Sequence, residues 1–135
     1  MKKILIGVLF LTSLVVNSQE VFKLQGLKNY DGDTITTNMV VIQGLPPLHI
    51  RLFGIDTPEI KGACAEEKVL AKKAKYRLAE ILKDEVTVQP MKWDKYGGRF
   101  VATVYDKNGK NVATTLIEEG LGKPYFGEKK VSWCK

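Results

Sequence analysis

The sequence holds a single histidine, His49, and beyond residue 18 a single serine, Ser132, which lies two residues before a cysteine near the end. A Ser-His-Asp site therefore has no parts to be built from, and neither has a mechanism that uses two histidines as acid and base. His49 reads as a strand residue with a local hydrogen bond. Cysteine is nearly as scarce, with only Cys64 and Cys134 among 135 residues. Two thiols and one distant imidazole make a poor zinc set, whereas in an oxidising compartment the two sulfurs read as a disulfide. Such a bond would close a loop of about seventy residues and stabilise the domain by on the order of 4 kcal/mol on chain-entropy grounds. There is no phosphate-cradling G-x-x-x-x-G-K-[ST] loop, no internal repeat and no low-complexity tract.

Long apolar runs are also missing, with one exception. "ILIGVLFLTSLVV" follows Lys2 and Lys3 and precedes the polar "NSQE". Its thirteen residues would rise only about 20 Å as a helix, short of the roughly 30 Å hydrocarbon core of a bilayer. With the small residues Val16 and Ser18 at its end, residues 1–18 read as a secretory signal peptide. The expectation is a single domain over 19–135, monomeric, secreted or periplasmic, and free of the membrane once the signal is cut. Lys2 and Lys3 take two of the six net positive charges, which leaves about +4, a balance that suits a polyanionic partner.

The remainder alternates in its periodicity. "VFKLQGLKNYDGDTITTNMVVI" gives two β-rich runs divided by the turn signal "NYDGD", and "LHIRLFGI" starts a third. From Ala65 to Leu82, Leu70, Ala74, Leu78 and Ile81 recur at helical spacing between lysines and glutamates. "EVTVQPMKW" and "RFVATVY" are strands joined by the tight "DKYGG". A short helix follows from Asn111, a natural N-cap, to Glu119, and Gly120 stops it. Three strands, a helix, two strands and a short helix predict a mixed, mainly β fold, a five-stranded OB-like barrel with helices attached.

Carboxylate and guanidinium chemistry is what this inventory leaves. Asp31 and Asp33 sit in "YDGDT", and Arg51, Asp56 and Glu59 in "IRLFGIDTPE". Singly, Asp-Gly turns and strand-end aspartates are ordinary turn formers. Together, Asp33 and Asp56 end neighbouring strand runs, where a barrel could bring both to one rim as hard oxygen ligands for Ca²⁺ or Mg²⁺. An EF-hand does not fit, because counting from Asp31 its fifth position is Ile35 and its twelfth Ile42. Arg51 and Arg99 offer forked donors for a phosphate, and Glu59 is the natural proton acceptor in a chain with so little histidine. These are the components of metal-assisted phosphodiester hydrolysis.

"DGDT", "IRLFGIDTPE", "DKYGGR" and "EEGLGKPY" resemble, in order and with similar separations, the motifs of the staphylococcal nuclease-like (thermonuclease) family, over about residues 21–126. The resemblance implies an OB-fold and a Ca²⁺-dependent endonuclease that hydrolyses DNA and RNA and leaves 3′-phosphate ends. It implies Asp33, Asp56 and the carbonyl of Thr57 as metal ligands, Glu59 as general base, and Arg51 and Arg99 on the scissile phosphate. Lys95 and Tyr96 fall where the family contacts a neighbouring phosphate, and Tyr125 near where an aromatic ring packs on the nucleotide. "DKYGGR" carries one glycine more than the "DKYGR" of the family's best-known member, so Arg99 lies one residue further along; a longer turn or a bulge can absorb the difference. That member continues into a further helix beyond "GKPYF". Here a Cys64–Cys134 bond, with Trp133 packing, is expected to fasten the C-terminal segment to the barrel. The competing reading is a non-catalytic OB-fold that binds nucleic acid, which would have no use for Asp33, Asp56 and Glu59 facing an anionic ligand.

Overall fold

Alternation along the strands decides where the barrel wall lies. The computed structural model describes residues 20–39, 43–44, 47–94 and 98–135; the expected signal peptide falls outside them, as do Lys95 and Tyr96. The strands are β1 (Phe22–Leu24), β2 (Lys28–Asn29), β3 (Thr34–Thr36), β4 (His49–Leu52), β5 (Ile55–Asp56), β6 (Val86–Trp93), β7 (Arg99–Tyr105) and β8 (Lys123–Pro124), and the helices are α1 (Ala65–Ile81) and α2 (Val112–Glu118). In β7, Phe100, Ala102 and Val104 are buried while the residues between them face outward; in β4 the same rule buries Ile50 and Leu52 and leaves His49 and Arg51 on the other face.

Six strands form one sheet in the order β1–β6–β7–β4–β3–β2. β4 and β7 run parallel, and every other neighbouring pair in the sheet is antiparallel. The two edge strands, β1 and β2, are separated in sequence only by Gln25–Leu27, with Gly26 at φ 72°. Four Cα steps span at most about 14 Å, so the sheet has to curl until its edges approach each other. The expected five strands are thus present, with the first kinked into β1 and β2, and the architecture is OB-fold-like. The two-stranded ladder of β5 and β8 was not foreseen, because two-residue strands carry no periodic signal.

Helix α1 ends at Ile81, one residue before the expected boundary, with Leu82 as its C-cap. It buries Glu67, Ala71, Ala74, Leu78 and Ile81, so the stripe is centred on Ala71 rather than on Leu70, which is only partly buried. In α2, Asn111 caps as expected: its side chain accepts the N–H of Ala113 at 2.9 Å, and Gly120 with φ 75° ends the helix. Both helices pack on a core of Ile35, Ile50, Leu52, Val86, Val88, Val104 and Leu116.

The small residue Ala74 admits the acidic turn that precedes β3. A Cβ on Gly32 would stand 2.7 Å from the Cβ of Ala74 and 3.0 Å from that of Thr57. Glycine at this position lets the Asp31–Asp33 turn lie against both α1 and the segment after β5. Gly32→Ala should therefore lower the unfolding free energy by about 1–3 kcal/mol through overpacking, measured by denaturant titration; a variant as stable as wild type would mean that the turn does not pack there.

Candidate metal and phosphate site

The site starts from an Asx-type turn. Asp31 Oδ1 accepts the N–H groups of Asp33 at 3.1 Å and Thr34 at 2.9 Å, which fixes the backbone leading into β3. In the β3–β4 register Thr34 lies opposite Arg51, and the N–H of Leu52 donates to the carbonyl of Asp33 at 2.9 Å. The ladder thereby sets Asp33 beside Arg51, whose Nη1 is 2.8 Å from Asp33 Oδ2. The Thr57 N–H donates to the same oxygen at 3.0 Å, and the Thr34 hydroxyl to Oδ1 at 3.3 Å. The other arm of Arg51, Nη2, donates to the carbonyl of Ile55 at 3.2 Å. One guanidinium thus joins the turn before β3 to strand β5.

Charge in this cluster is unevenly settled. Burial acts to raise the pKa of Asp33, but the Arg51 guanidinium and its hydrogen bond outweigh it and hold the carboxyl below its ordinary value. Asp31 has no such cation; burial first, and then the negative charge of Asp33, push it up to about 7. Burial, followed by repulsion from Asp33, likewise raises Glu59, against the pull of Lys130 and Arg51. A carboxylate with a raised pKa is the better proton acceptor near neutral pH.

Asp56, at the end of β5, is buried, with Lys130 Nζ 3.2 Å from Oδ1 and the indole N–H of Trp133 donating to Oδ2 at 3.3 Å. Thr57 is 1% exposed, and among the described residues its hydroxyl has no hydrogen-bond partner. Glu59 follows on an exposed loop whose position is held by Glu67: the Glu67 carboxylate accepts the N–H of Glu59 at 3.1 Å and of Ala63 at 2.9 Å. Gly62 makes room for this, since a Cβ there would lie 2.6 Å from Glu67 Cγ.

Asp33 and Asp56 offer carboxylate oxygens, and Thr57 a buried hydroxyl without a hydrogen-bond partner among the described residues, which are donors of the hard type that a divalent cation takes. Among the described residues, the one close cluster of three cysteine, histidine or carboxylate side chains is Cys64, Glu67 and Cys134. Its sulfurs are bonded to each other, so it is no metal site.

Beside the acidic cluster opens a cleft of about 370 Å³, whose lining includes Arg51, Arg99, Trp93, Tyr125, Phe126 and Lys130. Arg99 pairs with His49 in the β4–β7 register, and Arg51 pairs with Val101; a step of two residues puts both arginines on the same outward face. Arg51 and Arg99 both line the cleft. Arg99 Nε is ion-paired with Asp94. Tyr125 lies under Lys130, with Nζ 5.4 Å from the ring centroid, and Phe126, mostly exposed, meets Phe53 edge-on at 5.7 Å between centroids.

Residues 49–132 match the protein family described as Staphylococcal nuclease homologue. The chain belongs to that family. No curated protein matches it. Staphylococcal nuclease homologues are nuclease-type hydrolases that act on nucleic acids, typically with calcium. The matched stretch carries Arg51, Asp56, Thr57, Glu59, Arg99 and Tyr125 and begins after Asp33, which joins this set through its ion pair with Arg51.

Sequence reasoning missed Glu67 and Lys130. Glu67 is the third residue after the N-cap of α1, the position from which a capping-box glutamate reaches back to free N–H groups, and that spacing could have marked it. For Lys130, in a tail without periodicity, no signal was available. Arg51 also has a structural duty that its position in a strand does not reveal. In chelator at pH 7, Arg51→Ala should lower the unfolding free energy by about 3 kcal/mol, because it strands a buried carboxylate. The pair stabilises the fold above the ordinary carboxylate value of 3.8, and that stabilisation is lost as pH falls through the depressed folded value of Asp33. Denaturation curves for wild type and variant should therefore converge below about pH 4; a difference that persists undiminished in acid would exclude this origin.

Proposed function

We propose that the protein is a metal-dependent endonuclease that hydrolyses phosphodiester bonds of DNA and RNA and leaves 3′-phosphate ends. One observation carries this reading: Arg51 belongs at once to the carboxylate cluster, through Asp33, and to the cleft that also holds Arg99. A phosphate lying in that cleft would meet two guanidinium groups while its reacting face looked towards Asp56 and Glu59.

In this mechanism Asp33, Asp56 and the carbonyl of Thr57 would hold one Ca²⁺, which would supply Lewis-acid stabilisation of charge on the phosphate oxygens. Glu59 accepts a proton from water as the water oxygen attacks phosphorus, and the P–O5′ bond breaks on the opposite side, the departing O5′ taking a proton from solvent and the phosphate remaining on the 3′ oxygen. Arg51 and Arg99 donate hydrogen bonds to the non-bridging oxygens, where negative charge accumulates in the transition state. Arg99 exchanges Asp94 for the phosphate, so the ion pair keeps the guanidinium oriented before substrate arrives. Tyr125 supplies a ring on the nucleotide side of the cleft, and Lys95 and Tyr96 are assigned to a neighbouring phosphate. The disulfide supports an oxidising, secreted or periplasmic setting, in keeping with residues 1–18 as a signal peptide.

The test is cleavage of plasmid DNA and of RNA by residues 19–135 with Ca²⁺, with chelator, and by a Glu59→Gln variant. Cleavage should require Ca²⁺, and Glu59→Gln should lose about 10²-fold or more in rate with its unfolding midpoint retained. Cleavage that persists in chelator would overturn the metal mechanism. Nucleic-acid binding without cleavage in any divalent ion would identify the protein as a binding module instead.

A further inference from the structure

The final residues, 126–135, have no regular secondary structure, yet they make specific contacts with the acidic cluster. Cys134 is bonded to Cys64, the N-cap of α1, with the two Cα atoms 6.0 Å apart. The adjoining Trp133 is fixed from a second side: Lys123 Nζ lies 4.3 Å from the centroid of its ring and donates to the Ser132 carbonyl at 2.9 Å. Lys123 belongs to β8 and stands opposite Asp56 of β5 in the register of that ladder. The strand that pairs with Asp56 therefore also fixes the indole whose N–H reaches Asp56 Oδ2.

We propose that this disulfide-tethered strap is a positioning device for the cation site, with Trp133 and Lys130 acting on Asp56 in opposite senses. The inference rests on the metal reading given above. Trp133 is the orienting partner: its indole N–H takes one lone pair of Oδ2, restricts rotation of the carboxylate and leaves Oδ1 as the oxygen presented to a cation. Hydrogen bonds from outside the coordination sphere to a ligating carboxylate are typically worth about 10- to 100-fold in metal affinity. Lys130 is the tethered competitor: its ammonium stands 3.2 Å from Oδ1 and has to leave when a divalent ion arrives. Because Lys130 is half exposed, that competition is small, roughly threefold.

The opposite signs separate this account from a merely structural strap, whose loosening would weaken the site whichever residue was changed. The experiment is calorimetric titration of Ca²⁺ into the oxidised protein without nucleic acid, for wild type, Trp133→Phe, Lys130→Met and the double variant Cys64→Ser/Cys134→Ser, with thermal unfolding of each. Trp133→Phe should raise the Ca²⁺ dissociation constant about tenfold, the double cysteine variant should raise it similarly, and Lys130→Met should lower it roughly threefold. If wild type binds Ca²⁺ and Trp133→Phe binds it equally well, even with a lower unfolding midpoint, the positioning role is overturned and the metal reading stands. Weaker binding by Lys130→Met would likewise overturn the competition. If wild type itself binds no Ca²⁺, the metal reading fails and this inference fails with it.

Discussion

The ion pair between Arg51 and Asp33 is the contact on which the rest of the site depends. Neither partner is placed by its own loop alone: the β3–β4 register puts them side by side, and the second arm of the same guanidinium reaches the backbone of β5. Two buried charges in such surroundings are costly unless paired and hydrogen-bonded, and here Asp33 receives donors from Arg51, Thr57 and Thr34. The pair settles Asp33, and Lys130 and Trp133 meet Asp56, while burial and the charge of Asp33 raise the Asp31 carboxyl. The remaining negative charge can be offset by protonation of Asp31, by Lys130 at Asp56 or by a bound cation.

Barrel geometry converts a pattern spread along the chain into this local arrangement. Asp33 precedes β3, Arg51 lies in β4 and Arg99 begins β7; antiparallel pairing sets Asp33 beside Arg51, and parallel pairing puts Arg99 two residues along on the same outward face as Arg51. The disulfide adds a constraint that the sheet cannot supply. It closes a 70-residue loop between the N-cap of α1 and the chain's last residues, and so brings a segment without regular structure onto Asp56. Glu67, in the first turn of the same helix, holds the backbone of Glu59. The start of α1 thus supports both the residue assigned as base and the strap.

Much of this was legible in the residues, for physical reasons. The alternation of "RFVATVY" and the three- and four-residue steps along α1 are direct consequences of strand and helix periods, and Asn111 and Gly120 act by local chemistry that needs no tertiary context. The motif residues Asp33, Arg51 and Asp56 could be grouped because strand ends mark a barrel rim. Less was legible where long-range contacts decide. The β5–β8 ladder joins segments of two residues each, too short to show a period. The close approach of the turn at Gly32 to Ala74 of α1 is likewise a tertiary contact that helical spacing does not show. That Arg51 would be engaged by Asp33, and that Lys130 would reach Asp56 across 74 positions of chain, follow from side-chain contacts that a linear pattern does not encode.

The central claim is that one cation and two arginines act on a single phosphate. It is tested most directly by a crystal structure of the Glu59→Gln protein with Ca²⁺ and a short oligonucleotide. The account predicts one cation bound by Asp33, Asp56 and the Thr57 carbonyl, with the guanidinium groups of Arg51 and Arg99 on the same phosphate and Arg99 released from Asp94. A cation bound elsewhere, or Arg99 still held by Asp94 while the phosphate is engaged by Arg51 alone, would contradict it.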